Sequence, residues 1–310
     1  MSKLNVYIPV GGGLGDVLTV YLASPDIDVP TDQGAPPTPY RLFSLWYRRL
    51  KDFKEKHPDS SVKLICASHN PGAIDLFTHH PYIDVIHAIK WMVPKDEPND
   101  IWNKEHDGYV SLAIAHHAEE YEHSDPVVYL DEHQNVIYNS ITKTQYIVIH
   151  PFSGSPQRTD VFDLGVLKSV IDILIDEYSY TVVVVGNTFT PSIDVLNPIR
   201  KVEQFTYQRD GLVNGVNDFR ANLSVKLAMA ASGFIGCYSS MLVASWFGYV
   251  KSVCIAPEFY GVEPFQIQAD LDVPVSWGLK QDFCKTLINK NNTLTAIEII
   301  ESLGVNNNEA

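Results

Sequence analysis

The stretch Leu4-Asn5-Val6-Tyr7-Ile8-Pro9-Val10-Gly11-Gly12-Gly13-Leu14-Gly15-Asp16-Val17-Leu18 opens the chain with an apolar run that breaks into four glycines and an acid. The run 4–10 reads as a buried β-strand, and the glycines let the backbone turn and approach a ligand without side-chain hindrance. A strand, a glycine turn and a helix in succession invite a dinucleotide reading. In G-x-G-x-x-G counted from Gly11, however, the last glycine falls on Asp16. A carboxylate there crowds the helix start and repels a pyrophosphate. No Gly-Lys-Ser/Thr follows, so the turn is not a P-loop either. What remains is a site lined by Gly12, Gly13 and Gly15 with Asp16 on its rim. Two readings of Asp16 stay open at this point: a proton acceptor, or the cap of the next helix.

Outward from that turn, strand-like runs alternate with helical patterns. Strands are expected at 4–10, 62–67, 85–88, 108–112, 146–150, 181–185, 234–236 and 252–255, and helices at 40–57, 71–79, 163–178, 223–231 and 293–303. The continuous Val/Ile runs at 146–150 and 181–185 fit strands buried on both faces of a parallel sheet. The alternation restarts near 146, after the polar stretch Asp131-Glu132-His133-Gln134-Asn135. Two doubly wound α/β domains are therefore expected, residues 1–140 and 141–310, joined near 131–145, with ligands at the carboxyl ends of the strands in the cleft between them.

The bulk properties agree with that size. A chain of 310 residues that is 45% hydrophobic can bury two cores of roughly 150 residues each. Its net charge of −14 argues against general nucleic-acid coating or an anionic membrane surface as partner. Cys66, Cys237, Cys254 and Cys284 lack C-x-x-C spacing and read as reduced core thiols. With no signal-peptide pattern after Met1 and no transmembrane-length run, a cytoplasmic protein without a membrane span is expected. Its oligomeric state is left open.

Three turns in the second half carry phosphate-type chemistry. Ile149-His150-Pro151-Phe152-Ser153-Gly154-Ser155-Pro156-Gln157-Arg158 ends a strand in small hydroxylated residues with a nearby guanidinium. Backbone N–H groups and hydroxyls can cradle phosphate oxygens while Arg158 supplies charge. Val185-Gly186-Asn187-Thr188 ends the next strand in a tight turn. Gly236-Cys237-Tyr238-Ser239-Ser240-Met241 leads from a strand into an apolar helical stretch, where Ser239 and Ser240 sit at a helix start that favours an anion. Ordinary loops and N-caps use the same residues, and only the recurrence of three such turns on one sheet edge sets them apart.

The order of these turns resembles the heptosyltransferase-like glycosyltransferases, glycosyltransferase family 9, of the GT-B fold. Gly13-Leu14-Gly15-Asp16-Val17-Leu18-Thr19 is similar to that family's G-x-x-G-D turn. His80-Pro81-Tyr82-Ile83-Asp84-Val85-Ile86 looks like its N-P-x-(I/V)-D segment. His150-Pro151-Phe152-Ser153-Gly154-Ser155 resembles its H-P-G-S-G turn, and Asn217-Asp218-Phe219-Arg220-Ala221-Asn222-Leu223-Ser224 its D-L-R-G helix start. The resemblance implies two Rossmann-like domains facing each other across a cleft. It makes Asp16 the general base that deprotonates an acceptor hydroxyl, beside Gly12, Gly13 and Gly15. Ser153, Gly154, Ser155, Arg158, Gly186, Asn187, Tyr238, Ser239 and Ser240 fall on the donor side.

The implied reaction is metal-independent, inverting transfer of a sugar from a nucleotide-diphosphate donor, which is a substrate, so that no cofactor is expected. The acceptor is a saccharide or lipopolysaccharide-type glycan. A modified base in DNA, extruded into the cleft, is the alternative, as is a catalytically silent nucleotide-sugar binder. The chain departs from the family where D-(S/T)-G-x-x-H is replaced by Tyr238-Ser239-Ser240-Met241-Leu242-Val243, which keeps only the hydroxyl at Ser239 and leaves the sugar unspecified. It also inserts a loop with five prolines between Ser24 and Tyr40, expected to overhang the acceptor side. The His/Glu cluster His116-His117-Ala118-Glu119-Glu120 reads as a solvated segment, and the basic helix with Arg41, Arg48, Arg49, Lys51, Lys54 and Lys56 as a solvated face.

Overall fold

The computed structural model describes residues 5–12, 14, 18, 49–68, 72–88, 108–111, 121–122, 124, 127–151, 163–186, 205–237, 239–257, 283–289 and 293–305. The chain divides into two compact units, Met1–Tyr129 and Leu130–Ala310. Each is built on a parallel sheet, as the alternating pattern predicts.

The first unit orders β1 (Val6–Gly12), β2 (Val62–Ser68), β3 (Val85–Ala88) and β4 (Val110–Ser111) as β3-β2-β1-β4. Val6, Tyr7 and Ile8 in β1, and Leu64, Ile65 and Cys66 in β2, are buried in unbroken succession. Sheets covered on both faces need such runs. β1 extends further than the apolar run implies. Gly11 and Gly12 are strand residues, in register with Ala67 and Ser68, and not part of the turn. Helices α1 (Leu50–Lys56) and α2 (Gly72–Phe77) bury Leu50, Phe53, Leu76 and Phe77. The residues Leu14 and Leu18, helical and one turn apart, are buried as well. Of the helix expected over 40–57, Leu42 and Trp46 lie outside the described residues.

The second unit contains β5 (Tyr146–His150), β6 (Thr181–Val184), β7 (Leu212–Asn214), β8 (Gly233–Cys237), β9 (Ser252–Pro257) and β10 (Cys284–Asn289), ordered β10-β9-β8-β5-β6-β7. Every adjacent pair is parallel. Numbered from its own first strand, the order is 3-2-1-4-5-6 read from the other edge, that of a dinucleotide-binding sheet, with its reversal between β5 and β8. One face, carrying Ile147, Ile149, Val182, Val184, Ile235 and Ile255, packs on α4 (Leu164–Asp176) and α7 (Ala296–Leu303). The opposite face meets α5 (Ala221–Ala230) and α6 (Ser240–Phe247): the Tyr146 hydroxyl donates to the Leu227 carbonyl at 3.0 Å, and Ser245 and Ser252 share a 3.0 Å hydrogen bond. The unit is thus doubly wound.

The polar stretch expected to join the domains is a helix, α3 (Glu132–Ile141). A capping box closes its start: Asp131 accepts from the Gln134 N–H while the Gln134 amide accepts from the Asp131 N–H. The same amide is buried against α5, where its Nε2 donates to Asn222 Oδ1 at 2.7 Å and its Oε1 accepts a second bond, from Asn222 Nδ2 at 3.0 Å. Replacing Asn222 with leucine leaves Gln134 half-satisfied in the interior. A loss of ~2 kcal/mol in unfolding free energy is expected, read from the urea midpoint; an unchanged midpoint would show that the amide pair contributes nothing.

The α5–α6 crossing depends on Gly248. A Cβ on this residue would stand 2.0 Å from the Met229 carbonyl oxygen and 2.7 Å from its Cα, so backbone has to move. Gly248→Ala is expected to cost ~2–3 kcal/mol through overpacking. A thermal melt within about 2 °C of wild type would contradict so close a contact.

Candidate functional site

Because all six strands of the second unit run parallel, their carboxyl ends lie on one edge. The order β8-β5-β6 makes the ends of these three strands consecutive. Ser239 and Ser240 follow β8, His150 ends β5, and Gly186 follows β6 by two residues. The three turns singled out from the sequence therefore leave neighbouring strands at the point where strand order reverses. Ser153, Gly154, Ser155, Arg158, Asn187 and Tyr238 lie outside the described residues.

β5 and β8 approach closely at this edge. His150 is in register with Gly236, where a Cβ would sit 2.7 Å from the His150 carbonyl oxygen. Glycine is required there by proximity. His150 Nδ1 lies 2.8 Å from Ser239 Oγ, and each residue is only 8% exposed. Burial holds the imidazole well below its usual range, down to about 4, so it is neutral near pH 7 and adds no charge. Ser239 occupies the N-cap position of α6, with φ −156° and ψ 172°, yet its side chain makes no capping bond. Its hydroxyl is turned to His150.

The β6 end is shaped by backbone. Gly186 has φ 153°, and its carbonyl accepts from the Asn217 N–H at 2.8 Å. The Gly215 N–H donates to the Val184 carbonyl, and the Phe219 ring lies where a Gly215 Cβ would be, 2.4 Å from that position. This turn delivers Arg220, exposed, to the N-cap of α5. Sequence reading missed the Gly215–Phe219 turn as a partner of Gly186, because nothing local links residues 29 apart. The signal for His150 was present: a polar residue closing a Val/Ile run.

In the first unit, Gly12 ends β1, the strand between β2 and β4. The order β3-β2-β1-β4 reverses beside it, so Gly12 stands at that sheet's own switch point. Gly13, Gly15 and Asp16 lie outside the described residues, as does the Pro-rich segment 24–40.

The other family-like segment is scaffold. His80 is buried, pushed down to about 4 by desolvation, and its ring stands edge-on to Tyr82 and Tyr129. Asp84 accepts from the Val62 N–H at 2.7 Å and from the Lys54 ammonium at 2.9 and 3.0 Å, fastening the start of β3 to β2 and α1. Lys56 pairs with Asp52 at 2.8 Å, which keeps that carboxyl below the usual carboxylate range, and it stands 5.3 Å from the centre of the Tyr121 ring. These two cations of the basic helix are engaged within the protein. Arg41 and Arg48 lie outside the described residues, as do His116, His117, Glu119 and Glu120.

None of the four cysteines forms a disulfide, and Cys284 is half-buried with its thiol raised to about 11 by burial. Among the described residues, no group of three or more His, Cys, Asp and Glu is placed to hold a metal ion. No described helix is long and apolar enough to cross a membrane.

No protein-family model matches the sequence, and no curated protein matches it. Among solved structures, the chain is similar to the glycosyl transferase family 9 from Veillonella parvula DSM 2008, at 11% identity and TM-score 0.49, covering 99% of this chain and 98% of that one. It is similar to the Escherichia coli ADP-heptose lps heptosyltransferase II at 12% identity and TM-score 0.48, over 97% of each chain. The E. coli heptosyltransferase WaaC with ADP aligns at 10% identity and TM-score 0.47, again over 97% of each.

Proposed function

We propose that the protein is a glycosyltransferase that moves a sugar from a nucleotide-diphosphate donor to a saccharide hydroxyl, with inversion and without a metal. The observation that carries this reading is the second unit's strand order, which gathers the turns after β8, β5 and β6 at one switch point, where parallel sheets take phosphorylated ligands. The motif order that resembles glycosyltransferase family 9 supplies the reaction class. In this reading Asp16 takes the acceptor proton beside Gly12, Gly13 and Gly15. Ser153, Gly154, Ser155, Arg158 and the turn Tyr238-Ser239-Ser240 hold the diphosphate, with Gly186 and Asn187 near the nucleoside. The preorganised amides and Arg158 stabilise the departing phosphate, which accumulates charge as the glycosidic bond breaks.

A glycan acceptor is favoured over DNA because Lys54 and Lys56 are already paired within the fold and the chain carries a net charge of −14. The test is a thermal-shift screen of UDP-, GDP-, ADP-, CMP- and dTDP-sugars. A true donor at ~100 times its Kd is expected to add ~2.7 kcal/mol of apparent stability. Absence of any shift across the five nucleotides would sink the proposal. A shift without release of nucleotide in the presence of pooled glycans would leave a binding protein instead.

A further inference from the structure

The structure assigns Asn214 as a site of spontaneous covalent modification, the loss of its side-chain amide through attack by the Gly215 nitrogen, which pairing of β7 with β6 holds off. Asn214-Gly215 is the only Asn-Gly step in the 310 residues. Such a step is labile because glycine has no side chain to keep its nitrogen away from the asparagine Cγ. The N–Cγ bond forms as Cγ–Nδ2 breaks, and Nδ2 leaves as ammonia together with the Gly215 amide proton. Water then opens the succinimide at either carbonyl, giving aspartate or a β-linked isoaspartate. Water is the only co-reactant.

Asn214 ends β7, an edge strand whose three residues are all half-buried. Its side chain folds forward: Oδ1 accepts from the Val216 N–H at 3.1 Å, an Asx turn, and Nδ2 donates to the Phe205 carbonyl at 3.3 Å. The bond to Oδ1 draws electrons from Cγ and makes it the better electrophile. What the fold withholds is the nucleophile. The Gly215 N–H donates to the Val184 carbonyl at 2.9 Å, which keeps its proton in place, and Gly215 is buried. The Phe219 ring fills the space that a side chain on Gly215 would take, and so shields the nitrogen in its stead. Reaction therefore waits on opening of the β6–β7 edge, and its rate follows the population of the opened turn. The β-linked product lengthens the main chain by one carbon between β7 and this turn. Gly215 and Asn217 hold the Val184 and Gly186 carbonyls through their N–H groups, so the lesion loosens the end of β6 as well.

The test incubates the full-length protein in mildly alkaline buffer, both native and in denaturing urea. Asn214 is followed by peptide mass mapping, with isoaspartate-specific methylation as a second readout. In urea, Asn214 is expected to lose its amide faster than any other asparagine. The native protein is expected to lose it at least about tenfold more slowly than the unfolded chain. Phe219→Ala is expected to raise the native rate about tenfold and leave the rate in urea unchanged, since it uncovers the turn without altering the reacting residues. Equal native and urea rates in the wild type would overturn the inference, as would a folded Phe219→Ala protein that reacts no faster than wild type. Survival of the Asn214 amide in urea while other asparagines react would overturn it too. Should Phe219→Ala fail to fold, the wild-type rate in sub-denaturing urea decides. It rises with urea if opening is required, and a flat rate would mean that the β6–β7 pairing holds nothing off.

Discussion

Asp16→Asn is expected to lower the rate of sugar transfer by ~10²–10⁴-fold while nucleoside-diphosphate affinity is preserved. Asparagine is chosen because it separates the two roles open to this residue. It caps a helix about as well as aspartate, since its amide oxygen accepts from the same backbone N–H groups. It cannot take a proton from an acceptor hydroxyl. If Asp16 is only a cap, the variant keeps both its melting temperature and its activity, and that outcome would remove the general base from the mechanism. If Asp16 is the base, stability is retained and kcat falls, with the donor's Kd unchanged. Asp16→Ala is the less informative variant because it removes the cap and the base together, at ~1 kcal/mol for the cap alone. Single-turnover kinetics with saturating donor distinguish lost chemistry from lost binding.

Acid is expected to destabilise both units well before the carboxylates titrate. His80 and His150 sit in different units, and burial lowers each from 6.5 to about 4. Their unfolded counterparts take up protons near 6.5, so on acidification the unfolded chain binds protons that the native one refuses. Stability is therefore full above pH 6.5, falls as pH drops through the window to about 4, and loses nothing further from these residues below it. A shift of this size corresponds to about 3 kcal/mol per histidine. His80→Gln and His150→Gln remove one titration each, and because the residues lie in separate units, each variant is expected to flatten the acid profile of its own unit. Urea midpoints measured across this window check it. A wild-type profile that stays level, or variants that keep its slope, would show that neither imidazole is desolvated as described.

Much of the architecture was legible because buried parallel strands announce themselves. Tyr146–His150 forms where the sequence predicts, and Thr181–Val184 falls one residue short of its run; Val85–Ala88 also forms as predicted, although it is a mostly exposed edge strand. The strands that escaped reading are edges. β7 has three half-buried residues, and β10 alternates Cys-Lys-Thr-Leu-Ile-Asn with Lys285 exposed, so neither shows a continuous apolar signature. α3 escaped for a different reason. It has almost no apolar face, with Val136 65% exposed, and it is held by its caps and by the Gln134–Asn222 pair. The D-x-x-Q spacing of a capping box at Asp131 and Gln134 was the available cue. At the candidate site, the sequence marks Ser239 as a helix start but cannot show where its hydroxyl goes. That depends on a partner brought near by sheet order.

The neighbour relation of β5 and β8 also bears on how this chain is made. His150 and Gly236 are in register, yet the chain between them builds β6, β7, α4 and α5 first. During synthesis β5 can pair with β6 as soon as that strand emerges, but its other edge stays bare until Gly233–Cys237 has left the ribosome. That edge belongs to Tyr146-Ile147-Val148-Ile149-His150, an uncharged β-prone segment of the kind that recruits foreign strands. Fragments that stop before Gly233 are consequently expected to aggregate through this edge, whereas fragments that reach past Pro257 cover it with β8 and protect β8 in turn with β9. The crossover that precedes β8 is therefore the hazardous place to truncate this protein.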